Sequence, residues 1–329
     1  MDQYKGTILV TLQADRVPPD MEAQLKQAGD GRDVLIRTDT SGLEQELDTV
    51  EILMGFVPWD LIARMPHLRW VQLWSAGADG LQYYPALKER PFQLTSASGI
   101  HAQQLAEHTF GLLLAWNRRF PAVFAAQTQH DWRYVRAEET AVLAGKTMLI
   151  LGYGVIGKRI AQIALAFGMQ VIALRRSVPE ALQEREKKEP LRIESIHALG
   201  SLLPAADVVV NILPYTEDTR HIIDAAALAA MKRTSLYVNV GRGATTDEPA
   251  LIEALSSKRI AGALLDVTET EPLPEDSPLW DLDTVILTSH YAGLHPEYSA
   301  LVMEIALDNL GRYIRGEPLR NLVDKHTGY

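Results

Sequence analysis

The chain has 329 residues, enough for about two domains at roughly 150 residues each, and can bury a core without disulfides or a structural metal. With 32 Lys+Arg against 42 Asp+Glu, its formal net charge is −10, and the basic residues are dispersed, so nucleic acid is not an expected partner. The absence of cysteine excludes a disulfide framework, a thiolate zinc site, an iron–sulfur cluster and a cysteine nucleophile, and it suits the cytosol.

Met1 to Val10 lack the charged-then-apolar segment of an export signal, so a cytoplasmic protein is expected. The longest nearly apolar stretch, Ile160 to Leu174, is interrupted by Gln162, Gly168 and Gln170 and falls short of the ~20 residues a bilayer span needs. Apolar runs at Thr7–Thr11, Asp33–Arg37, Val50–Val57 and Trp70–Trp74, with an amphipathic run at Pro18–Ala28, predict strand–helix alternation and hence a parallel sheet. The segment Leu73–Leu81 (LWSAGADGL) then ends a strand in glycines that let backbone approach a ligand.

Leu105, Thr109, Leu112, Leu113 and Trp116 recur at helical spacing and predict one long helix over His101–Arg119, ended by Asn117–Pro121. A domain boundary falls near residue 100. A polar stretch, Gln127–Glu139, leads to a second strand–helix series that starts at Lys146, and Arg185–Glu189 (REKKE) reads as a solvated charged run.

Lys146–Leu151 reads as a strand, Gly152-Tyr153-Gly154-Val155-Ile156-Gly157 as a turn, Lys158–Phe167 as a helix stopped by Gly168, and Gln170–Leu174 as the next strand. In such a unit Gly152 permits the tight turn, Gly154 the approach of a pyrophosphate, and Gly157 close helix–strand packing, which predicts a dinucleotide site. An acidic residue usually ends the second strand when the cofactor is NAD, to hold the ribose hydroxyls. Here Arg175, Arg176 and Ser177 stand there, which predicts a preference for NADP(H), with NAD possible.

Three later segments each end a strand in an unusual polar residue. Ser235–Gly243 holds Arg242, Ile260–Pro272 holds Asp266, Glu269 and Glu271, and Val285–Gly293 holds a strand ending in His290. Ligands of open α/β sheets lie at the carboxyl ends of strands, so these groups are expected to converge. Reduction of a 2-oxo acid needs a cation for the substrate, an acid that donates a proton near neutral pH, and a carboxylate that orients the acid and favours its charged form. Arg242, His290 and a glutamate fit, and Pro272 biases the backbone before it, favouring Glu271 over Glu269.

Read together, WSAGADGL, SGIHAQQLAEHTFGLLLA, LGYGVIGKRIAQIALAFGM, LPYTEDTRHII, VNVGRGATTDEPALIEAL, LDVTETEPLPEDSPLW and LTSHYAG resemble the D-isomer-specific 2-hydroxyacid dehydrogenase family over nearly the whole chain. The resemblance implies an α/β protein of two Rossmann-like or flavodoxin-like domains. A discontinuous substrate domain (1–100 and 293–329) would carry an inserted cofactor domain (101–292), with a C-terminal helix over His295–Arg315 and closure of the two halves over the substrate. It assigns substrate binding to Arg242, assistance to Glu271 and acid/base work to His290. Cofactor contacts fall on Gly152, Gly154, Val155, Ile156, Gly157, Arg175, Arg176, Ser177, Leu213, Pro214, Thr219, Val240, Gly241, Arg242, Asp266, His290 and Ala292. The substrate would also meet Ser75, Ala76, Gly77, Gly99 and Ile100.

A homodimer through the cofactor domain is implied as well, using the His101–Arg119 region. Thr268 departs from the aromatic residue common at its position, which alters the packing behind the loop, and the end at Tyr329 disfavours the long, regulated phosphoglycerate dehydrogenases. The expected activity is NADPH-dependent reduction of a small 2-oxo acid such as glyoxylate or hydroxypyruvate. The alternatives are a cofactor-sensing, corepressor-like binding protein, or oxidation of formate or phosphite.

Overall fold

The computed structural model describes residues 5–39, 42–56, 58–178 and 190–327, so the Arg185–Glu189 run and Val57 lie outside the described residues. The chain forms two compact units, Met1–Ile100 with His295–Tyr329, and His101–Leu294.

In the first unit, β1 (Thr7–Thr11), β2 (Val34–Arg37), β3 (Val50–Gly55), β4 (Trp70–Leu73) and β5 (Gln93–Thr95) form a parallel sheet in the order β2-β1-β3-β4-β5. This is the flavodoxin-like order. Successive side chains of a strand point to opposite faces, so Ile8 and Val10 enter one apolar cluster with Met21, Leu25 and Val302, while Leu9 enters another with Leu53 and Val71. The C-terminal helix, Tyr298–Arg315, belongs to the first of these clusters and ends at Gly316, whose φ of 68° stops it. It starts three residues later than the expected His295, because the residue before Pro296 is disfavoured in helical backbone.

A buried ion pair ties this helix to the sheet. Glu51, on β3, accepts from Arg32 Nε (3.0 Å), Arg32 Nη2 (3.1 Å), the Gly6 amide (2.7 Å) and the Tyr313 hydroxyl (2.8 Å).

The second unit holds a seven-stranded parallel sheet made of β6 (Thr147–Leu151), β7 (Gln170–Arg175), β8 (Leu191–Ser195), β9 (Val208–Asn211), β10 (Leu236–Asn239), β11 (Gly262–Leu265) and β12 (Val285–Leu287). Their order is β12-β11-β10-β9-β6-β7-β8. Both faces are covered, as a parallel sheet requires: Met148 and Ile150 of β6 pack into one cluster, Leu149 and Leu151 into the other. The chain winds outward from β6 through β7 to β8 and then returns to β9 on the other side of β6. The topological switch therefore lies between the carboxyl ends of β6 and β9, the expected place for a ligand in an open sheet.

The long helix spans Ala102–Asn117, and its Phe110 stacks on Phe167 beyond the glycine-turn helix (5.1 Å between ring centroids). A second helix, Phe120–Thr128, follows at once after Arg119 adopts φ 58°, so the segment expected to turn polar begins as helix.

Candidate active site

The glycine turn is built on steric necessity. A Cβ on Gly157 would sit 2.0 Å from the carbonyl oxygen of Gly152, and Gly152 itself adopts φ 110°. Gly154 differs, since a Cβ there meets nothing within 4 Å and would project into open space. Helix Val155–Ala166 starts at that point, with Gly154 as N-cap, no side-chain cap and an exposed Val155. Free amide donors and the positive end of the helix dipole thus stand beside a Gly154 that adds no side chain to the open space there, which fits a pyrophosphate. Gly157→Ala must push the turn apart, and a stability loss on the order of 2 kcal/mol is expected in urea unfolding. An unchanged midpoint would contradict the packing role.

Arg175 closes β7, half-buried and in register with Ser195 of β8, and Arg176 and Ser177 follow on the surface. The end of the second strand therefore offers two guanidinium groups and a hydroxyl, with no carboxylate between residues 175 and 178.

At the ends of β9 and β10, two buried asparagines fold the chain back. Asn211 Oδ1 accepts from the Leu213 amide (3.1 Å) and Asn239 Oδ1 from the Gly241 amide (3.0 Å). A Cβ on Gly241 would lie 2.9 Å from Ile212 Cα, so the two turns touch through backbone. Leu213, Val240 and Ala292 send their side chains into the core, leaving only backbone for any ligand. Pro214 is held by Thr219, whose hydroxyl donates to its carbonyl (2.7 Å). Ile156, at the helix start, is half-buried against the apolar cluster.

The carbonyl of Arg242 accepts from Asn239 Nδ2 (3.1 Å) and Thr245 Oγ1 (2.6 Å), which fixes the residue just past β10. Its guanidinium donates to Gly241 O (2.9 Å) and acts on His101. Burial, and then this cation, lower the His101 pKa, while a bond between its Nδ1 and Gly293 O (3.0 Å) opposes the shift.

Past β11 stands Asp266, 3 % exposed. Its carboxylate accepts from Thr288 Oγ1 (2.6 Å), the Tyr291 amide (3.2 Å) and the Ala292 amide (3.0 Å), and its carbonyl accepts from the His290 amide (2.8 Å). His108 of the long helix reaches the same group, with Nε2 3.0 Å from Thr288 Oγ1 and 3.6 Å from Asp266 Oδ1. Burial lowers the pKa of this histidine against the pull of Asp266.

The result of this clamp is the conformation of His290. The residue is held at φ 53°, a left-handed backbone that costs an L-residue about 1–2 kcal/mol. Its Nδ1 lies 2.6 Å from Glu271 Oε2, and Glu271 Oε1 accepts from the Thr268 amide (3.1 Å). Nε2 makes no hydrogen bond among the described residues. The Glu271–Pro272 bond is cis.

Arg242, Glu271, His290 and Asp266 thus follow carboxyl ends of strands in one unit, as does the glycine turn. Ser75, Ala76 and Gly77 belong to the first unit, half-buried after β4, with Ser75 Oγ donating to Gly77 O (2.8 Å). Gly99 and Ile100 follow β5 in that unit, Gly99 at φ 102°.

A second histidine–glutamate pair is not marked by any spacing in the sequence. His221 Nε2 lies 2.6 Å from Glu269 Oε1, two residues before Glu271. The only signal was a histidine in TEDTRHII followed much later by a spare glutamate.

A parallel sheet with a glycine turn at its switch point and a histidine–carboxylate pair at its last strand fits a nicotinamide-dependent dehydrogenase. The family model described as "D-isomer specific 2-hydroxyacid dehydrogenase, NAD binding domain" matches residues 110–292. A glyoxylate reductase from Aeropyrum pernix is 34 % identical over 282 residues, covering 84 % of this chain and 82 % of that protein. Among solved structures, a D-isomer specific 2-hydroxyacid dehydrogenase from Xanthobacter autotrophicus Py2, in complex with NADPH and MES, superposes with TM-score 0.83 and 32 % identity over 98 % of this chain and all (100 %) of that one. An NADPH-dependent glyoxylate/hydroxypyruvate reductase from Sinorhizobium meliloti, in complex with NADP and sulfate, does so with TM-score 0.82 and 29 % identity over the same shares of the two chains, 98 % and 100 %. The chain belongs to the D-isomer-specific 2-hydroxyacid dehydrogenase family and is an NAD(P)-dependent enzyme.

Proposed function

We propose that this enzyme uses NADPH to reduce a small 2-oxo acid, of the glyoxylate or hydroxypyruvate kind, to the D-2-hydroxy acid. The observation that carries the reading is the 2.6 Å contact between His290 Nδ1 and Glu271 Oε2 on a residue held in left-handed backbone. With Nδ1–H donating to the carboxylate, the transferable proton of the imidazolium sits on Nε2, and Glu271 stabilises the charged ring until that proton leaves. NADPH, when bound, supplies the hydride. Arg242 binds the substrate carboxylate and polarises its ketone, so that negative charge on the oxygen is met first by a cation and then by the Nε2 proton. Ser75, Ala76, Gly77, Gly99 and Ile100 are proposed as further substrate contacts.

For the cofactor, the glycine turn offers its amides to the pyrophosphate, with Val155 and Ile156 beside it, and Arg175, Arg176 and Ser177 receive the 2′-phosphate. Leu213, Pro214, Thr219, Val240, Gly241 and Ala292 line the rest through backbone and Thr219 hydroxyl, while Asp266 acts by holding the His290 loop. The NADPH and NADP complexes of the two structural relatives support this cofactor. Arg175→Asp should raise the KM for NADPH about tenfold to a hundredfold, since a hydrogen bond to a charged group contributes roughly 1.5–3 kcal/mol, and should leave NADH less affected. An unchanged NADPH/NADH ratio would contradict the assignment.

A homodimer through the second unit is part of the proposal. Phe120, Phe124, Trp132 and Tyr134 supply exposed aromatic surface next to the long helix, which supports an interface there. Among the described residues no helix is long and apolar enough to cross a membrane, and a cytoplasmic location is proposed from the absence of cysteine. A panel of 2-oxo acids assayed with both cofactors tests the activity: steady NADPH consumption is expected. Tight NADPH binding without turnover would favour a cofactor-sensing protein instead.

A further inference from the structure

We propose that His221 and Glu269 form a positioning pair that sets the loop carrying Glu271, and through it the orientation of the His290 imidazole. The proposal rests on the reading of His290 and Glu271 as the proton-transfer pair. Between Val267 and Leu279, 3 % and 1 % exposed, every residue is half-buried or exposed, so no deeply buried apolar side chain anchors this stretch. Polar bonds must fix it instead, and of those that tie 268–272 to other segments among the described residues, Glu269 makes three and Glu271 one.

Glu269 is gripped from two sides. Its amide donates to Glu248 Oε2 (2.8 Å) and its Oε2 accepts from the Glu248 amide (3.4 Å), which ties it to the start of helix Glu248–Ser256. Its Oε1 meets His221 Nε2 at 2.6 Å. Without a donor at that oxygen, the Glu269 and Glu248 carboxylates would face each other with only backbone bonds between them, and like charges at such range repel.

His221 is itself held in an unusual state, at φ 50°, with its amide donating to Ala244 O (3.1 Å). The ring that holds Glu269 therefore grows from backbone fastened to the turn that follows Arg242. A residue kept in left-handed backbone needs surroundings that over-determine it, and such residues cluster at functional sites. Here the consequence is mechanical. The segment after Pro214, the Arg242 turn and the Glu271 loop share one polar junction, so a displacement of His221 shifts Glu271 relative to His290.

Thr268 shows how close that coupling is. Its amide donates to Glu271 Oε1 (3.1 Å) and its hydroxyl to Thr270 O (2.9 Å), so the residue adjoining Glu269 holds the carboxylate that His290 uses. A Cβ on Gly243 would lie 1.8 Å from Thr268 O, so the Arg242 turn also presses against this loop.

His221→Ala and His221→Gln, measured in parallel with wild type for kcat, KM and amide hydrogen exchange at Thr268 and Glu269, test the proposal. Both variants bear the same left-handed backbone cost, which cancels in the comparison, and only Gln can still donate to Glu269. His221→Ala should lower kcat about tenfold, in line with the sensitivity of catalysis to small displacements, with KM for NADPH within about twofold. His221→Gln should recover most of the loss, and exchange at the two amides should speed up in the Ala variant and slow again in the Gln variant. Unchanged kcat, a KM for NADPH that rises in proportion, or a Gln variant no better than Ala overturns the proposal. If wild type turns over no 2-oxo acid, the functional reading fails, and the exchange rates alone still decide whether the pair holds the loop. Should His221→Ala not fold, Glu269→Ala carries the comparison against wild type with the same readouts.

Discussion

His290→Asn is expected to lower kcat for NADPH-driven reduction by about a thousandfold, within the range that loss of a general acid produces, with NADPH affinity changed less than about threefold. Such a loss corresponds to about 4 kcal/mol of transition-state stabilisation. Asparagine is the informative replacement because it tolerates the φ of 53° at this position and can still donate to Glu271 Oε2. The loop therefore keeps its shape, its amide bond to Asp266 O included, and only the transferable proton is lost. Steady-state kinetics together with a fluorescence titration of NADPH check the result. A variant that loses NADPH binding instead would mark His290 as a structural residue of the cofactor site.

The second large effect lies in the first unit and concerns stability. Arg32 and Glu51 have side chains 7 % and 2 % exposed, and removing one partner of such a pair leaves an uncompensated buried charge, which costs about 3–5 kcal/mol. Glu51→Ala should lower unfolding stability by that amount in urea. Burial pushes the Glu51 carboxyl up, but the Arg32 guanidinium, the Tyr313 hydroxyl and the Gly6 amide outweigh burial and hold it below the usual value. A folded pKa below the unfolded one means that this stabilisation is present above the ordinary glutamate pKa of about 4.3 and is lost as pH falls through the folded value. Wild type should thus lose stability on acidification from about pH 4.3 downward more steeply than Glu51→Gln. Equal acid sensitivity in the two proteins would contradict the role assigned to Glu51.

What could be read from the chain alone follows from how each feature is enforced. Gly157 was legible because any side chain would meet the Gly152 carbonyl at 2.0 Å, so sterics write the spacing directly into sequence. Arg242, Asp266 and His290 stood out because each follows an apolar strand at its carboxyl end, where polar residues have no packing role. The partner of His290 is a different matter, since Glu269 and Glu271 are both plausible from composition and lie on the same exposed loop. The structure separates them by partner: Glu271 meets His290, and Glu269 meets His221.

Long-range polar pairings leave little periodic trace, which is why His108 beside Asp266 and His221 beside Glu269 were not foreseen. Boundaries also moved where a single backbone state decides them. Arg119 at φ 58° breaks one expected helix end into a turn and a new helix, and Pro296 delays the last helix. The dependence of Glu271 on Thr268 is likewise a loop geometry that spacing does not encode.

Whether His290 and Glu271 act as one proton-transferring unit is tested most directly by a double-mutant cycle over kcat. His290→Asn, Glu271→Gln and the double variant are measured against wild type with NADPH and a 2-oxo acid in excess. Residues that act as a unit are far from additive, so the double variant should be no slower than His290→Asn alone. Losses that multiply, as for two independent groups, would contradict it.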